Sequence, residues 1–281
     1  MSTIPRSLTE EQFKMHVYPH LSKAKRGYES KIPLFKIFNY ILYKLDSGCK
    51  WHNLVIDVDK KAPDKKELSY HTVFYHYSKW SKDGSFEAVF NKSIEEIKED
   101  LDLSAITLDG THTIAKKGGE KVAYQGRKKA KTTNVLPMGD NKGNILAFVK
   151  VMSGNHNDAF ELKPTLQKGF KALKQLGLDI KGSFFNADAG FDTKAARKTC
   201  FNHGLIPNIP ENTRNRKKVK RGPKRFYNKE TYKQRFVAER SFAWMDSFRH
   251  ILIRFDRLEK HWLGAHFIVS ALINLRHVIS K

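Results

Sequence analysis

The chain has 281 residues, 40% of them hydrophobic, enough for one large domain or a core domain with a smaller appendage. Its formal charge of +23 is unevenly placed: residues 1–104 hold 17 Lys/Arg against 15 Asp/Glu, and residues 105–281 hold 35 against 14. No apolar run approaches the roughly 18–20 residues of a membrane span, "MSTIPRSLTEEQF" lacks the apolar centre of a signal peptide, and Cys49 and Cys200 stand far apart without CxxC or His pairing, which argues against a zinc site and fits a reducing cytosol.

Residues 1–100 read as helical. "SLTEEQFKMHVYPHL" opens with a capping-box spacing, Ser7 to Glu10 or Thr9 to Gln12. "IPLFKIFNYILYKL" is an apolar helix ending before Gly48, and "VIDVDKKAPDKKEL" is a polar loop. "SYHTVFYHYSKW" takes Ser69 as its N-cap, Asp83-Gly84 marks a turn, and "SFEAVFNKSIEEIKEDL" is the next helix. Helix, short turn, helix fits either a helix-turn-helix unit or a small helical packing domain.

After Leu103 the pattern changes. "SAITLDG" is a strand ending at Asp109, and "KTTNVLPMGDNKGNILAFVKVMSG" is two strands joined by a turn around Asp140–Gly143. "NDAFELKPTLQKGFKALKQLG" is a helix capped by Asn157 or Asp158, and "IKGSFFNADAG" is a strand ending at Asp188. "DTKAARKTCFNHG" is a helix with Asp192 as N-cap, closed by Gly204, and "LIPNIP" is a short strand. "TRNRKKVKRGPKRFYN", Thr213 to Asn228, holds eight Lys/Arg among sixteen residues and no acid. Gly222-Pro223 breaks it midway, which favours an extended arm. One helix then runs from Tyr232 to Phe248, followed by an amphipathic helix over 262–279. The order describes an α/β domain with a mixed sheet.

Asp109 and Asp188 both follow strands directly, and ligand sites of open α/β sheets collect at the carboxyl ends of strands. Glu239 is the third acid. On a helical wheel centred on it, Tyr232 falls near +20°, Arg235 near −40° and Asp246 near −20°. The helix is apolar nearly all round, so this polar stripe is expected to face inward, where Glu239 needs a cation: Arg235 or a bound metal. Three carboxylates without His or Cys suit a hard cation, Mg²⁺ or Mn²⁺. Two such ions roughly 3.5–4 Å apart support chemistry on phosphodiesters, and surrounding Lys and Arg suit a phosphate backbone.

"LDGTHTIAKKGG", "AYQGRKKAKTTNVLPMGDNKGNILAFVKVMSGNHNDAFEL", "NADAGFD" and "YKQRFVAERSFAWMDSFRHILIRFDR" together resemble the DDE transposases of bacterial insertion sequences in the fourth and fifth families. "GCKW" and "SYHTVFYHYSKWSKDGSFE" look like that group's N-terminal domain, so the resemblance spans nearly the whole chain. It implies a ribonuclease H-like mixed sheet with flanking helices over 104–281, preceded by a helical DNA-recognition or dimerisation domain over 1–103. It implies Asp109, Asp188 and Glu239 as catalytic metal ligands for two Mg²⁺ or Mn²⁺ ions. DNA contacts are expected from Tyr232 and Arg235, from Arg214, Arg216, Lys217, Lys218, Lys220, Arg221, Lys224 and Arg225, and from Arg127, Lys128 and Lys129. The family motif often has a lysine seven residues after the glutamate, where this chain has Asp246, which bears on contacts with terminal DNA. The implied function is cutting insertion-sequence ends and joining them to target DNA. The implied protein is a homodimer, cytoplasmic and nucleoid-associated in a bacterium, without a membrane partner. A metal-dependent nuclease without strand transfer and a DNA-binding protein with a decayed site are the alternatives.

Overall fold

The computed structural model describes residues 4–23, 30–213, 222 and 225–279, and the Cys49 and Cys200 thiols are free. The Arg214–Arg221 and Lys224 positions of the basic run lie outside the described residues.

Helices α1 (Glu10–His16), α2 (Leu34–Ser47), α3 (Tyr70–Lys82) and α4 (Ser85–Glu96) come first. Strands β1 (Ala105–Leu108), β2 (Thr111–Ala115), β3 (Ala123–Gln125), β4 (Ala130–Gly139) and β5 (Ile145–Ser153) follow. Then come α5 (Leu162–Gln175), β6 (Phe184–Asn186), α6 (Lys194–Asn202) and β7 (Ile206–Asn208). The chain ends with α7 (Lys229–Lys233), α8 (Phe236–Asp246), α9 (Arg249–Leu252), β8 (Ile253–Arg254), α10 (Glu259–Asn274) and α11 (Arg276–Ile279). Two compact units result: residues 1–97, 113–120 and 243–281 form the first, and 98–112 with 121–242 form the second. The sequence suggests one cut at 103/104; the units instead exchange segments across it.

In the first unit, Thr9 and Gln12 form the expected capping box of α1. Gly48 ends α2 at φ 65°, a left-handed conformation that favours glycine. Ser69 caps α3. Phe38, Tyr77, Trp80, Phe86, Phe90 and Trp262 are fully buried. The last helix is not amphipathic. In α10 every residue from His261 to Asn274 except Leu263 is buried. Its polar members suggested a wet face, yet they bond inside the unit: Asn274 donates to Ser93 (3.2 Å), and the Trp262 carbonyl lies 2.9 Å from His266 Nδ1. β2 and β8 pair in parallel at Ile114 and Ile253. Strands this short leave little alternation to read in sequence.

A buried polar chain crosses this unit. Lys44 Nζ lies 2.8 Å from His250 Nδ1, and His250 Nε2 lies 2.7 Å from Asp256 Oδ2. Tyr77 donates to the His261 carbonyl (2.8 Å) and sits 3.3 Å from Asp256. A lysine can only donate, so His250 Nδ1 is the acceptor and Nε2 carries the proton toward Asp256. Burial lowers the Lys44 pKa, against the pull of Asp256.

In the second unit the sheet runs β5-β4-β1-β6-β7. β5, β4 and β1 pair antiparallel; β1, β6 and β7 pair in parallel. With flanking α5 and α6, this is the mixed α/β sheet expected from the sequence. β1 is buried along its length, as a central strand covered on both faces should be. The α5 cap differs from expectation: Glu161 precedes the helix at φ 51° without a side-chain cap, because Asp158 is engaged by Asn134 instead. Among the described residues no helix is long and apolar enough to cross a membrane.

The polar chain makes a prediction for stability. Asp256→Ala strands a buried Lys44 and should lower the unfolding free energy by about 3–5 kcal/mol in urea denaturation. Glu10→Ala, which breaks only the exposed pair with Lys14 (2.7 Å), should change it by less than about 0.5 kcal/mol.

Candidate active site

The parallel register of β1 with β6 matches Thr107 with Asn186. Asp109 and Asp188 each stand two residues beyond that pair, so both carboxylates emerge at the same sheet end. Asp109 Oδ1 accepts from the Gly110 amide (2.9 Å), and Asp188 Oδ1 accepts from the Gly190 amide (2.8 Å). Arg235 reaches across and donates to Asp109 Oδ2 at 2.6 Å. Its guanidinium carbon lies 5.8 Å from the Tyr232 ring centre, and Tyr227 packs on Tyr232 at 5.2 Å. Burial pushes the Asp109 carboxyl above its ordinary pKa; Arg235 and the Gly110 amide oppose this, and the Asp188 charge adds to it. Burial likewise raises the Tyr232 phenol, opposed by Arg235 and reinforced by Asp188.

Other buried carboxylates of this unit are fully occupied. Asp140 is bound by the amides of Asn144 (2.7 Å) and Lys142 (3.0 Å) in the β4–β5 turn. Asp192 is not the α6 cap; Thr193 is, accepting from the Ala196 amide. Asp192 instead binds Arg197 Nε (2.8 Å), the Asn212 amide (3.0 Å) and Arg225. A side chain that already holds two cations gains nothing by capping. Arg225 is thus ion-paired within the unit. Arg127, Lys128 and Lys129 are exposed on the turn before β4, where Lys128 Nζ donates to the His112 carbonyl (2.7 Å).

Glu239 does not join the two aspartates. It is exposed, whereas Val237, Ser241 and Met245 form the buried stripe of α8. Two physical reasons separate this from the wheel. The helix breaks: Arg235 N bonds to Tyr232 O (2.9 Å), Val237 N to Gln234 O (3.0 Å) and Ala238 N to Arg235 O (2.9 Å). Bonding three residues back turns the chain by about 120° per residue, so the phase is reset between Tyr232 and Glu239. Ser241 also donates to the Gly143 carbonyl (2.9 Å), which turns that face inward. A helix apolar nearly all round does not reveal from sequence which face is covered.

Four contributors were not evident from sequence. Asp158 and Asn134 stand behind Gly110, where a Cβ would come within 2.6 Å of Asp158 Oδ1 and 3.2 Å of Asn134 Oδ1. Glycine is therefore needed for this close approach. Asn186 and Asn208 are fully buried at the ends of β6 and β7. The available signal was an amide inside an otherwise apolar strand, as in "SFFN" and "LIPN".

Asp109 and Asp188 offer oxygen atoms in a partly buried place, with Arg235 paired to Asp109, which fits a hard divalent ion. Glu239 contributes to such a set only by turning inward: among the described residues no three His, Cys, Asp or Glu side chains converge to hold a metal.

A family model described as Transposase DDE domain matches residues 100–274. Among solved structures the chain is similar to the catalytic domain of Mos1 mariner transposase, at 14% identity over 68% of this chain and 92% of that one, with a TM-score of 0.29. It is similar to the Mos1 mariner paired end complex with Mn, at 13% identity over 96% and 86%, with a TM-score of 0.31. It is also similar to the Mos1 strand transfer complex, at 10% identity over 92% and 82%, with a TM-score of 0.31. Scores this low carry no argument about the reaction. No curated protein matches the chain.

Asp192 supplies the prediction here. Burial raises its pKa, but the Asn212 amide, Arg197 and Arg225 outweigh burial, and the net shift is downward. A lowered carboxyl stabilises the fold above the unfolded pKa and loses that contribution as pH falls through the folded value. Asp192→Asn should cost about 3 kcal/mol at pH 7. The gap from wild type in urea titrations should shrink below about pH 4, the ordinary aspartate range.

Proposed function

We propose, from the premise that the chain belongs to the transposase DDE-domain family, that it is a DNA transposase. It would bind terminal inverted repeats, cut the insertion-sequence ends and join their 3′-hydroxyls to target DNA. The observation that carries this reading is the β1/β6 register, which supports Asp109 and Asp188 as a shared carboxylate site at one sheet end. Mg²⁺ or Mn²⁺ held there would activate the attacking water or 3′-hydroxyl and stabilise the leaving oxygen. Asp109 and Asp188 would be two ligands, and Glu239 the third once α8 turns. Arg235 pairs with Asp109 in the free protein and would take phosphate oxygens when DNA arrives. Tyr232, beside it, would pack on the DNA end. Residues 1–103 would supply end recognition or dimer contacts, since their near-neutral balance gives little non-specific affinity. A homodimer follows from the need to cut two ends together.

Asp109→Asn, Asp188→Asn and Glu239→Gln should each lower Mg²⁺-dependent cleavage by more than about 100-fold. Asp192→Asn should retain activity in protein that stays folded. Full activity in Glu239→Gln would place the third ligand elsewhere, with Asp158, behind Gly110, the first candidate.

The basic run is tested by salt. Changing Lys217, Lys218, Lys220 and Arg221 to Gln should weaken end DNA and random DNA alike. The slope of log affinity against log salt should fall by about 0.9 for each phosphate that the variant no longer neutralises. An unchanged slope would show that these charges do not touch DNA.

A further inference from the structure

Behind the carboxylates lie amides that the proposed chemistry leaves without a role. Asn186 and Asn208 face each other in the β6/β7 register, and both are fully buried. A buried amide is costly unless each of its groups finds a partner. Asn208 Nδ2 donates to Asn186 Oδ1 (2.8 Å) and to the Asn228 carbonyl (3.0 Å), and Asn208 Oδ1 accepts from the Asn228 amide (2.8 Å). Asn186 Nδ2 donates to the Thr231 carbonyl (3.1 Å). Asn228 Oδ1 accepts from the Thr231 amide (3.0 Å) and caps α7. Only a carboxamide offers donor and acceptor on one flat end, so Asn208 grips the Asn228 backbone as a neighbouring strand would.

What the ladder holds has other ties, the Phe226 ring stacked on Phe184 (6.2 Å), Arg225 on Asp192 and Arg235 on Asp109, but these are side-chain contacts that do not bond the α7 backbone. α7 is five residues long and none of them is buried, so neither helix propensity nor apolar packing can hold it in place. The rings just before it, Phe226 and Tyr227, are exposed. The ladder ends at Thr231, one residue before Tyr232 and four before Arg235. Two valines would fill the same strand positions, but they would remove the bond to the Asn228 amide and leave the Thr231 carbonyl with its bond from the Gln234 amide (3.3 Å). The amides therefore fit a role in geometry better than one in burial.

We infer that Asn186 and Asn208 are positioning residues for this site: their buried amide ladder pins the start of α7 to the strand that leads to Asp188, and so sets where Arg235 meets Asp109. This rests on the reading of Asp109 and Asp188 as the reacting centre. Neither asparagine touches DNA or metal in this role. Both act through the segment that carries Tyr232 and Arg235.

The test uses the full-length chain, with hydrogen exchange by mass spectrometry and a double-mutant cycle. Asn208→Ala should speed exchange over 228–235 while β4, β5 and α5 keep their protection. Metal-dependent cleavage should fall by about 10- to 100-fold, the scale of a misplaced catalytic group. In an Arg235→Ala background the same change should cost no more than about two-fold, because it acts through Arg235. Asn186→Ala, which removes the side-chain bond to the Thr231 carbonyl, should give the same pattern; it decides the matter if Asn208→Ala does not fold. Unchanged exchange over 228–235, or losses that multiply with Arg235→Ala, would overturn the inference. If wild-type protein cuts no DNA, the transposase reading fails, and the exchange data alone then judge the ladder.

Discussion

The parallel pairing of β1 with β6 brings Asp109 and Asp188 out at the same sheet end, where burial first, and the nearby Asp188 charge with it, push the Asp109 carboxyl above its ordinary pKa. Much of the second unit answers that constraint. Arg235 offsets one of the two charges at 2.6 Å. Asp140 and Asp192 accept more bonds than Asp109, whose two oxygens take one amide and one cation. The contrast separates carboxylates that tie a turn or a loop to its own unit from the pair at the shared sheet end.

Elements that bring groups to this place are short and held by polar contacts. Between the β4–β5 turn and α8 the ties include Ser241 on the Gly143 carbonyl and Arg240 on the Lys142 carbonyl. A typical hydrogen bond nets only about 1 kcal/mol, so a turn of α8 that brought Glu239 inward would meet modest resistance from these two. The exposed glutamate is therefore compatible with a third-ligand role. Larger resistance would come from Val237, whose burial would be lost.

The first unit solves a different problem. Its core is aromatic, yet Lys44, His250, Asp256 and Tyr77 run through it as one hydrogen-bonded chain. Such a chain adds little net stability compared with apolar residues of the same volume, and each member becomes expensive once a partner is removed. It joins α2, α3 and the segment around α9 in a single arrangement, which non-directional apolar contacts alone would leave looser.

The sequence by itself determined the elements whose signals are local. Capping at Thr9 and Ser69, the stop at Gly48, the strands ending at Asp109 and Asp188, and the turn at Asp140–Gly143 all rest on neighbours within a few residues. The basic balance of the second part and the alternation of strand and helix also came from sequence, and with them the mixed-sheet fold. Tertiary structure decided what depends on distant partners. Asp192 became a buried ion-pair centre because Arg197 and Arg225 reach it, which left Thr193 to cap α6. Arg235 pairs with Asp109, 126 positions away, not with Glu239 one turn on. α10 has polar residues on faces that only its neighbours turned dry. Glu239 faces solvent because a change of helical phase and one serine contact chose the covered side. A helix apolar all round contains no periodic signal from which that choice could be read.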